Sequence, residues 1–242
     1  MTTSSAKVIW HDTECGAYAA DLEAWERLAS RSDGPILELG SGTGRVALHL
    51  ARREHEVWAI DTEDDFVAAL RERSEGLPLQ AEQADARALD LERRFGLAIA
   101  AMQFIQMIGP EAARAEVLRS VAAHLDPGGW LAAAILDGAP GDLTDASVPL
   151  PDTRGVDGRV YSSLPADVIE DGSRLELRRL RREVAADGTM SESRHSESLW
   201  LCDADAIERE GAPVGLVPRE RISVPALNGY IGSVIVVMER QC

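Results

Sequence analysis

Lysine is almost missing from this chain. Lys7 is the only one among 25 basic residues, and these stand against 41 acidic residues for a net charge of −16. Such a surface repels phosphate backbones at long range and argues against a nucleic acid partner. Cysteine is equally scarce. Cys15, Cys202 and Cys242 are odd in number and form no C-x-x-C pair, which excludes a disulfide framework and a cysteine-based zinc site, and no metal is expected. A reducing cytoplasm is the expected location. No apolar run reaches the length of about 18 residues that a membrane-spanning helix needs. Met1–Lys7 lacks both the basic start and the apolar core of a signal peptide. Repeats and low-complexity tracts are absent too. What remains is 242 residues with 45% apolar content, which suits one α/β domain with a substantial core.

Apolar runs at Ile36–Leu39, Val57–Ile60, Leu79–Gln83, Leu97–Ala101 and Trp130–Leu136 alternate with helical patterns at Arg45–Glu54, Asp64–Arg73 and Glu111–His124. That alternation predicts βαβ units and a parallel sheet covered on both faces. Tyr18–Ala29 reads as an amphipathic helix with Leu22, Trp25 and Leu28 on one side. Residues 137–158, rich in Gly, Pro and Asp, read as a long loop. Three segments then suit an antiparallel sheet, Arg159–Ile169, Arg174–Val184 and Met190–Trp200, joined by Glu170-Asp171-Gly172 and Asp187-Gly188. In the middle segment Leu175 and Leu177 alternate as in a strand, whereas Leu177, Leu180 and Val184 also fit a helix. The flanking hairpin turns favour a strand, which then needs a bulge. Its arginines, Arg174, Arg178, Arg179, Arg181 and Arg182, read as a solvated face paired with Glu176 and Glu183. A short helix Asp203–Glu210 and strands Leu216–Val224 and Ser233–Arg240 complete the chain.

The most informative stretch is Ile36-Leu37-Glu38-Leu39-Gly40-Ser41-Gly42-Thr43-Gly44-Arg45. A buried strand runs into three alternate glycines, which accept positive φ and leave no Cβ in a ligand's way. The helix that follows aims its free N–H groups into the same space. A dinucleotide fingerprint, G-x-G-x-x-G, needs glycine where this chain has Arg45. The observed spacing instead resembles the first motif of class I S-adenosylmethionine (SAM) dependent methyltransferases. In that family the turn carries the methionine part of SAM, and the acid at the Glu38 position faces its ammonium.

Further segments resemble the same family. Asp61 ends the second strand about 20 residues past the turn, where a carboxylate suits two adjacent ribose hydroxyls, as in NAD enzymes. Gln83-Ala84-Asp85-Ala86-Arg87 follows the third strand; the resemblance has Asp85 accept from the adenine amino group and the Ala86 N–H donate to the ring. Asp85 also fits a simple turn cap. Phe95 to Gln106 resembles the fourth motif, which passes the sulfonium at a strand's carboxyl end, the usual ligand position in an open parallel sheet. Many relatives carry a histidine after the residue matching Gln106; this chain has Met107, which removes the most obvious general base. Leu125-Asp126-Pro127-Gly128-Gly129-Trp130 resembles the turn into the fifth strand. Trp10-His11-Asp12 and Tyr18 resemble the lid segment of amino-sugar N-methyltransferases.

The resemblance implies a Rossmann-like, doubly wound α/β fold: a mostly parallel seven-stranded sheet with an antiparallel three-stranded insert after the fifth strand. It divides the single domain into an N-terminal lid and helix (1–33), a SAM-binding core (34–136), a loop and insert covering the acceptor (137–202), and a closing helix and strand pair (203–242). It implies SAM, with S-adenosylhomocysteine as product, bound by Tyr18, Glu38, Gly40, Ser41, Gly42, Gly44, Arg45, Asp61, Thr62, Asp85, Ala86, Ala101, Met102 and Gln106. His11 and Tyr18 are the candidate catalytic groups, and His11, Gln103 and His195 the candidate substrate contacts. Methyl transfer is an in-line displacement on an activated sulfonium, so positioning and desolvation carry most of the rate. The expected reaction is methylation of N or O in a small-molecule acceptor. Methylation of protein or RNA, and SAM binding without catalysis, stay open at this level.

Overall fold

A computed structural model describes residues 5–137, 151–226 and 232–241. The chain opens with α1 (Ala6–Cys15) and α2 (Leu22–Ala29), then runs β1 (Ile36–Leu39), α3 (Arg45–Ala51), β2 (Val57–Asp61), α4 (Asp64–Arg73), β3 (Leu79–Gln83), a 3-10 turn at Ala86–Ala88, and β4 (Phe95–Ala100). Helices α5 (Phe104–Met107) and α6 (Glu111–His124) lead to β5 (Leu125–Ile135). Four strands follow, β6 (Asp152–Val156), β7 (Arg159–Asp171), β8 (Arg174–Val184) and β9 (Met190–Trp200), before α7 (Ala204–Gly211), β10 (Leu216–Val224) and β11 (Ser233–Arg240).

The central sheet has seven strands in the order β10-β11-β5-β4-β1-β2-β3, parallel except for β11, which runs antiparallel to both β5 and β10. Strands β1 and β4 are buried at every position, which explains their unbroken apolar sequence: a sheet covered on both faces has no side to leave polar. On one face pack Trp25 and Leu28 of α2, Leu50 of α3 and Leu70 of α4. On the other pack Val117, Leu118 and Val121 of α6 and Ile207 of α7. Each such side chain contributes about 1.5–3 kcal/mol of burial. The α7 start follows its sequence signal, with Asp203 Oδ1 accepting from the Ala206 N–H at 2.7 Å.

Strands β6-β7-β8-β9 form a separate antiparallel sheet, one strand more than the sequence suggests. The extra strand, β6, lies in the segment read as loop, whose residues 138–150 fall outside the described ones. Its hairpin turn, Asp157-Gly158, takes the left-handed conformation at both positions, φ 49° and 76°, as a two-residue turn between strands requires. The ambiguous segment is strand β8, regular throughout; the bulge falls on its partner β7, between Pro165 and Asp167. Smaller corrections follow from backbone geometry. Helix α3 stops at Ala51 because Glu54 turns left-handed (φ 65°), and α2 begins only at Leu22. Strand β5 starts at Leu125 rather than Trp130, absorbing the Gly128 turn (φ 81°) as a register shift against β4.

Candidate active site

Strand order reverses at β1, with β2 on one side and β4 on the other. At such a switch point the connections leave in opposite directions and open a crevice at the strands' carboxyl ends. Gly40, Asp61 and Ala101 stand at the ends of β1, β2 and β4, so the topology gathers most of the expected cofactor residues along one edge.

The glycine turn adopts the conformation its spacing implies: φ is 60° at Gly40, 53° at Gly42 and 95° at Gly44, which precedes α3. A Cβ at Gly40 would stand 2.2 Å from the Phe104 ring, and one at Gly42 would stand 2.3 Å from His11 Nε2. Two rings therefore lie directly on the turn. Asp61 braces it, with Oδ2 accepting from the Gly42 N–H at 2.8 Å and Oδ1 from the Glu63 N–H at 2.9 Å. At the end of β4, Met102 (φ 47°) and Gln103 (φ 60°) are consecutive left-handed residues that are not glycine, a costly conformation that concentrates at ligand sites.

Glu38 is buried, and its Oε2 has no hydrogen-bond partner among the described residues; buried Ser41 Oγ is likewise unpartnered. Burial pushes the Glu38 carboxyl up to about 8, against the lowering influence of Arg45. Arg45 does not neutralise it, because its guanidinium is spent on Asp21 (2.6 and 2.7 Å) and the Tyr18 carbonyl (3.1 Å). The same guanidinium lies under the buried Tyr18 ring, 5.0 Å from its centroid. Burial raises the Tyr18 phenol above its ordinary value, so at neutral pH it is a donor and not a base.

His11 lies on α1. Its Nδ1 is 3.1 Å from Thr43 Oγ1, and that hydroxyl donates its own proton to Asp12 Oδ1 at 2.6 Å. Thr43 can therefore only accept from His11, which fixes the proton on Nδ1 and leaves the Nε2 lone pair over Gly42. Burial lowers the His11 pKa, so the ring is neutral at pH 7 with a free base nitrogen above the turn. The ring also leans on Phe66, centroids 4.7 Å apart.

Other expected residues are placed differently. Asp85 accepts from the Arg87 backbone N–H at 2.9 Å and pairs with its guanidinium, while Ala86 is buried beside it. Thr62 is exposed, and its carbonyl accepts from Gln83 Nε2 at 2.9 Å. Gln106 is fully buried and turned into protein: its amide donates to the Leu136 carbonyl (3.0 Å) and accepts from the Leu136 N–H (2.8 Å), fastening α5 to the end of β5. His195 lies on β9 facing Glu197, 3.5 Å away.

No functional signal in the sequence points to an ionic clasp that seats α1. Asp12 accepts two bonds from Arg73 of α4 (2.9 and 2.6 Å) and lies 3.2 Å from Arg154 of β6. Against the raising effect of burial, the Arg73 and Thr43 hydrogen bonds hold the Asp12 carboxyl below its ordinary range. Glu14 accepts from Ser163 Oγ (2.7 Å) and twice from Arg181 (2.7 and 2.6 Å). The helix thus bridges the glycine turn and the inner face of the insert. The arginine cluster is split by strand parity. Arg178 and Arg182 point outward to Glu176 and Glu192, while Arg179 and Arg181 point inward to Asp152 and Glu14.

Residues 36–129 match the family described as "Methyltransferase domain". Over 50 residues the chain is 44% identical to an uncharacterized methyltransferase of Staphylococcus carnosus (strain TM300), an alignment spanning 21% of this chain and 24% of that relative. Among solved structures, the sugar N-methyltransferase KedS8 from Streptoalloteichus sp ATCC 53650 superposes with a TM-score of 0.78 at 22% identity, covering 100% of this chain and 95% of that one. CalS10, an amino pentose methyltransferase from Micromonospora echinaspora, gives 0.73 at 19% identity with 100% of both chains covered. The CcbJ methyltransferase from Streptomyces caelestis gives 0.73 at 21% with 99% of both. Among the described residues, no helix is long and apolar enough to cross a membrane.

Proposed function

We propose that this chain, which carries a methyltransferase domain at 36–129 within the class I SAM-dependent methyltransferase fold, transfers the SAM methyl group to N or O of a small-molecule acceptor. The observation that carries this reading is Glu38, a buried carboxylate with an unpartnered oxygen beside three left-handed glycines. A buried anion without a cation is costly, and a ligand ammonium is its natural complement. The buried, unpartnered Ser41 hydroxyl offers the same ligand a further polar contact. Both fit SAM, which supplies a methyl already activated on a sulfonium.

In this reading Glu38 holds the cofactor ammonium and Gly40, Gly42 and Gly44 admit its backbone-like portion. Asp61, kept in place by two backbone donors, offers its remaining lone pairs to the ribose hydroxyls. Ala86 and Asp85 flank the adenine, and the left-handed pair Met102-Gln103 turns the chain beside the reacting methyl. Arg45, Tyr18 and Gln106 shape the cavity wall through their contacts with protein. His11 Nε2, neutral and unprotonated over the turn, is the base for an acceptor that must lose a proton. The acceptor in this reading lies between α1, the carboxyl edge and the inner face of the insert, where Glu14, Arg181, His195 and Glu197 gather, and the sugar and amino-sugar acceptors named for the similar structures suit such polar surroundings.

Thermal shift with SAM, S-adenosylhomocysteine and NAD tests the cofactor. A ligand at 100 times its Kd stabilises by about 2.7 kcal/mol, and a shift with the first two but not NAD is expected. Asp61→Ala should abolish it. No shift with either SAM compound, or an unaltered shift in the variant, refutes the assignment.

A further inference from the structure

On the inner face of the insert, charges pair off with one exception. Register places Leu175, Leu177, Arg179 and Arg181 of β8 opposite Leu199, Glu197, His195 and Ser193 of β9. The leucine end closes over Leu136 and Leu201 as a small apolar cluster. At the other end Arg179 holds Asp152, Arg181 holds Glu14, and Arg154 shares Asp12 with Arg73. Glu197 lies between the two ends. Among the described residues its only ion-pair partner is an imidazole, His195 Nε2 at 3.5 Å. Its oxygen, that of Glu14 and a His195 nitrogen lie within 4.8 Å of one another. Glu197 is also close enough to act electrostatically on His11 and on half-buried Cys15, which sets it on the same side of the glycine turn as His11.

Resting on the methyl-transfer reading above, we infer that Glu197, positioned by His195, selects an acceptor whose reacting atom is a cationic amine nitrogen. Three carboxylates of this interface have an arginine at ion-pair distance, whereas Glu197 feels Arg179 and Arg181 only at longer range and has an imidazole as its direct partner, so it has a place for one further positive charge. An alcohol offers no charge to that position and leaves Glu197 as it is. The ammonium gives its proton to His11 Nε2. The freed lone pair forms the new N–C bond as the S–C bond breaks, and that bond's electrons remain on sulfur. A divalent cation is the poorer occupant, because Glu14 already carries two arginine hydrogen bonds and one from Ser163.

Calorimetry on the full chain saturated with S-adenosylhomocysteine tests this with matched probes, methyl glucosaminide against methyl glucoside and benzylamine against benzyl alcohol. Wild type should bind at least one amine about tenfold more tightly than its alcohol, the scale of a partly exposed charge pair. Glu197→Gln should erase that preference while leaving the S-adenosylhomocysteine Kd unchanged, which also shows that the variant is folded. His195→Gln, at a half-exposed strand position, should reduce the preference without removing it. Equal affinity for amine and alcohol in wild type, a preference that survives in Glu197→Gln, or one abolished by a chelator overturns the inference. Failure of wild type to bind S-adenosylhomocysteine is a separate result that overturns the cofactor reading.

Discussion

Replacing Glu38 by Gln should remove a pH dependence that the fold builds into its cofactor site. Burial raises the carboxyl from its ordinary 4.5 to about 8. The folded state therefore holds this proton over a range where the unfolded chain has lost it. Its stabilising contribution is full below the unfolded pKa and disappears as pH rises through the folded one. Integrated between about pH 5.5 and about pH 8, the loss is about 3 kcal/mol. Urea unfolding of the cofactor-free protein at both pH values measures it. Other groups titrate in both proteins, so the difference between wild type and Glu38→Gln isolates this one. The wild-type free energy should fall relative to the variant by that amount as pH rises. Cofactor binding should run the opposite way. A ligand ammonium needs the carboxylate, whose population grows roughly 50-fold from about pH 6 to about pH 8, so S-adenosylhomocysteine affinity should climb similarly in wild type and stay weak and flat in the variant. Parallel stability curves for the two proteins would refute the burial reasoning. Parallel affinity curves would refute the ammonium assignment.

Three further outcomes follow from contacts described above. Asp12→Asn, which leaves Arg73 and Arg154 without their buried anion, should cost about 2–4 kcal/mol in urea unfolding and speed hydrogen exchange in α1; unchanged exchange there would show that the clasp does not hold the helix. Gly42→Ala puts a methyl 2.3 Å from His11 Nε2 at a positive φ, so it should destabilise and weaken cofactor binding, and a His11→Ala background should recover part of the loss, a coupling readable in a double-mutant cycle. Because burial lowers the His11 pKa, turnover should persist below the ordinary histidine range before falling at acid pH; His11→Gln should slow it and remove that acid limb, and an unchanged pH profile would take His11 out of the mechanism.

Strands β1 and β4 were legible because each is buried on both faces and reads as a plain apolar run. The glycine turn was legible for a different reason, since left-handed backbone leaves few choices of residue. Strand β8 was harder: its leucines change parity after Leu177. The structure shows why, for the inner face turns polar where it meets α1, and Arg179 and Arg181 occupy positions that a strand buried in a core would give to leucine. A period-2 test assumes that buried means apolar, and this site breaks the assumption. Strand β6 was missed although its Asp157-Gly158 turn is a hairpin signal, because the surrounding Gly, Pro and Asp suggested loop. The clasp was not legible at all. Asp12, Arg73 and Arg154 are remote in sequence, and the ion pairing arises only when α1, α4 and the insert converge.

The insert's alternation of inner and outer faces has an evolutionary consequence. Outward positions carry a ladder of ion pairs, Glu176–Arg178 and Arg182–Glu192 among them, that depends on neither cofactor nor acceptor. In the proposed reading, inward positions carry the residues that meet the acceptor. Because the two sets interleave residue by residue, mutation can rewrite the inward set without disturbing the outward one, and neither lies on the strands that bear the cofactor turn. On that reading, a lineage with this architecture can change what it modifies by drifting at the inward codons that do not hold α1, while inheriting its donor chemistry unaltered.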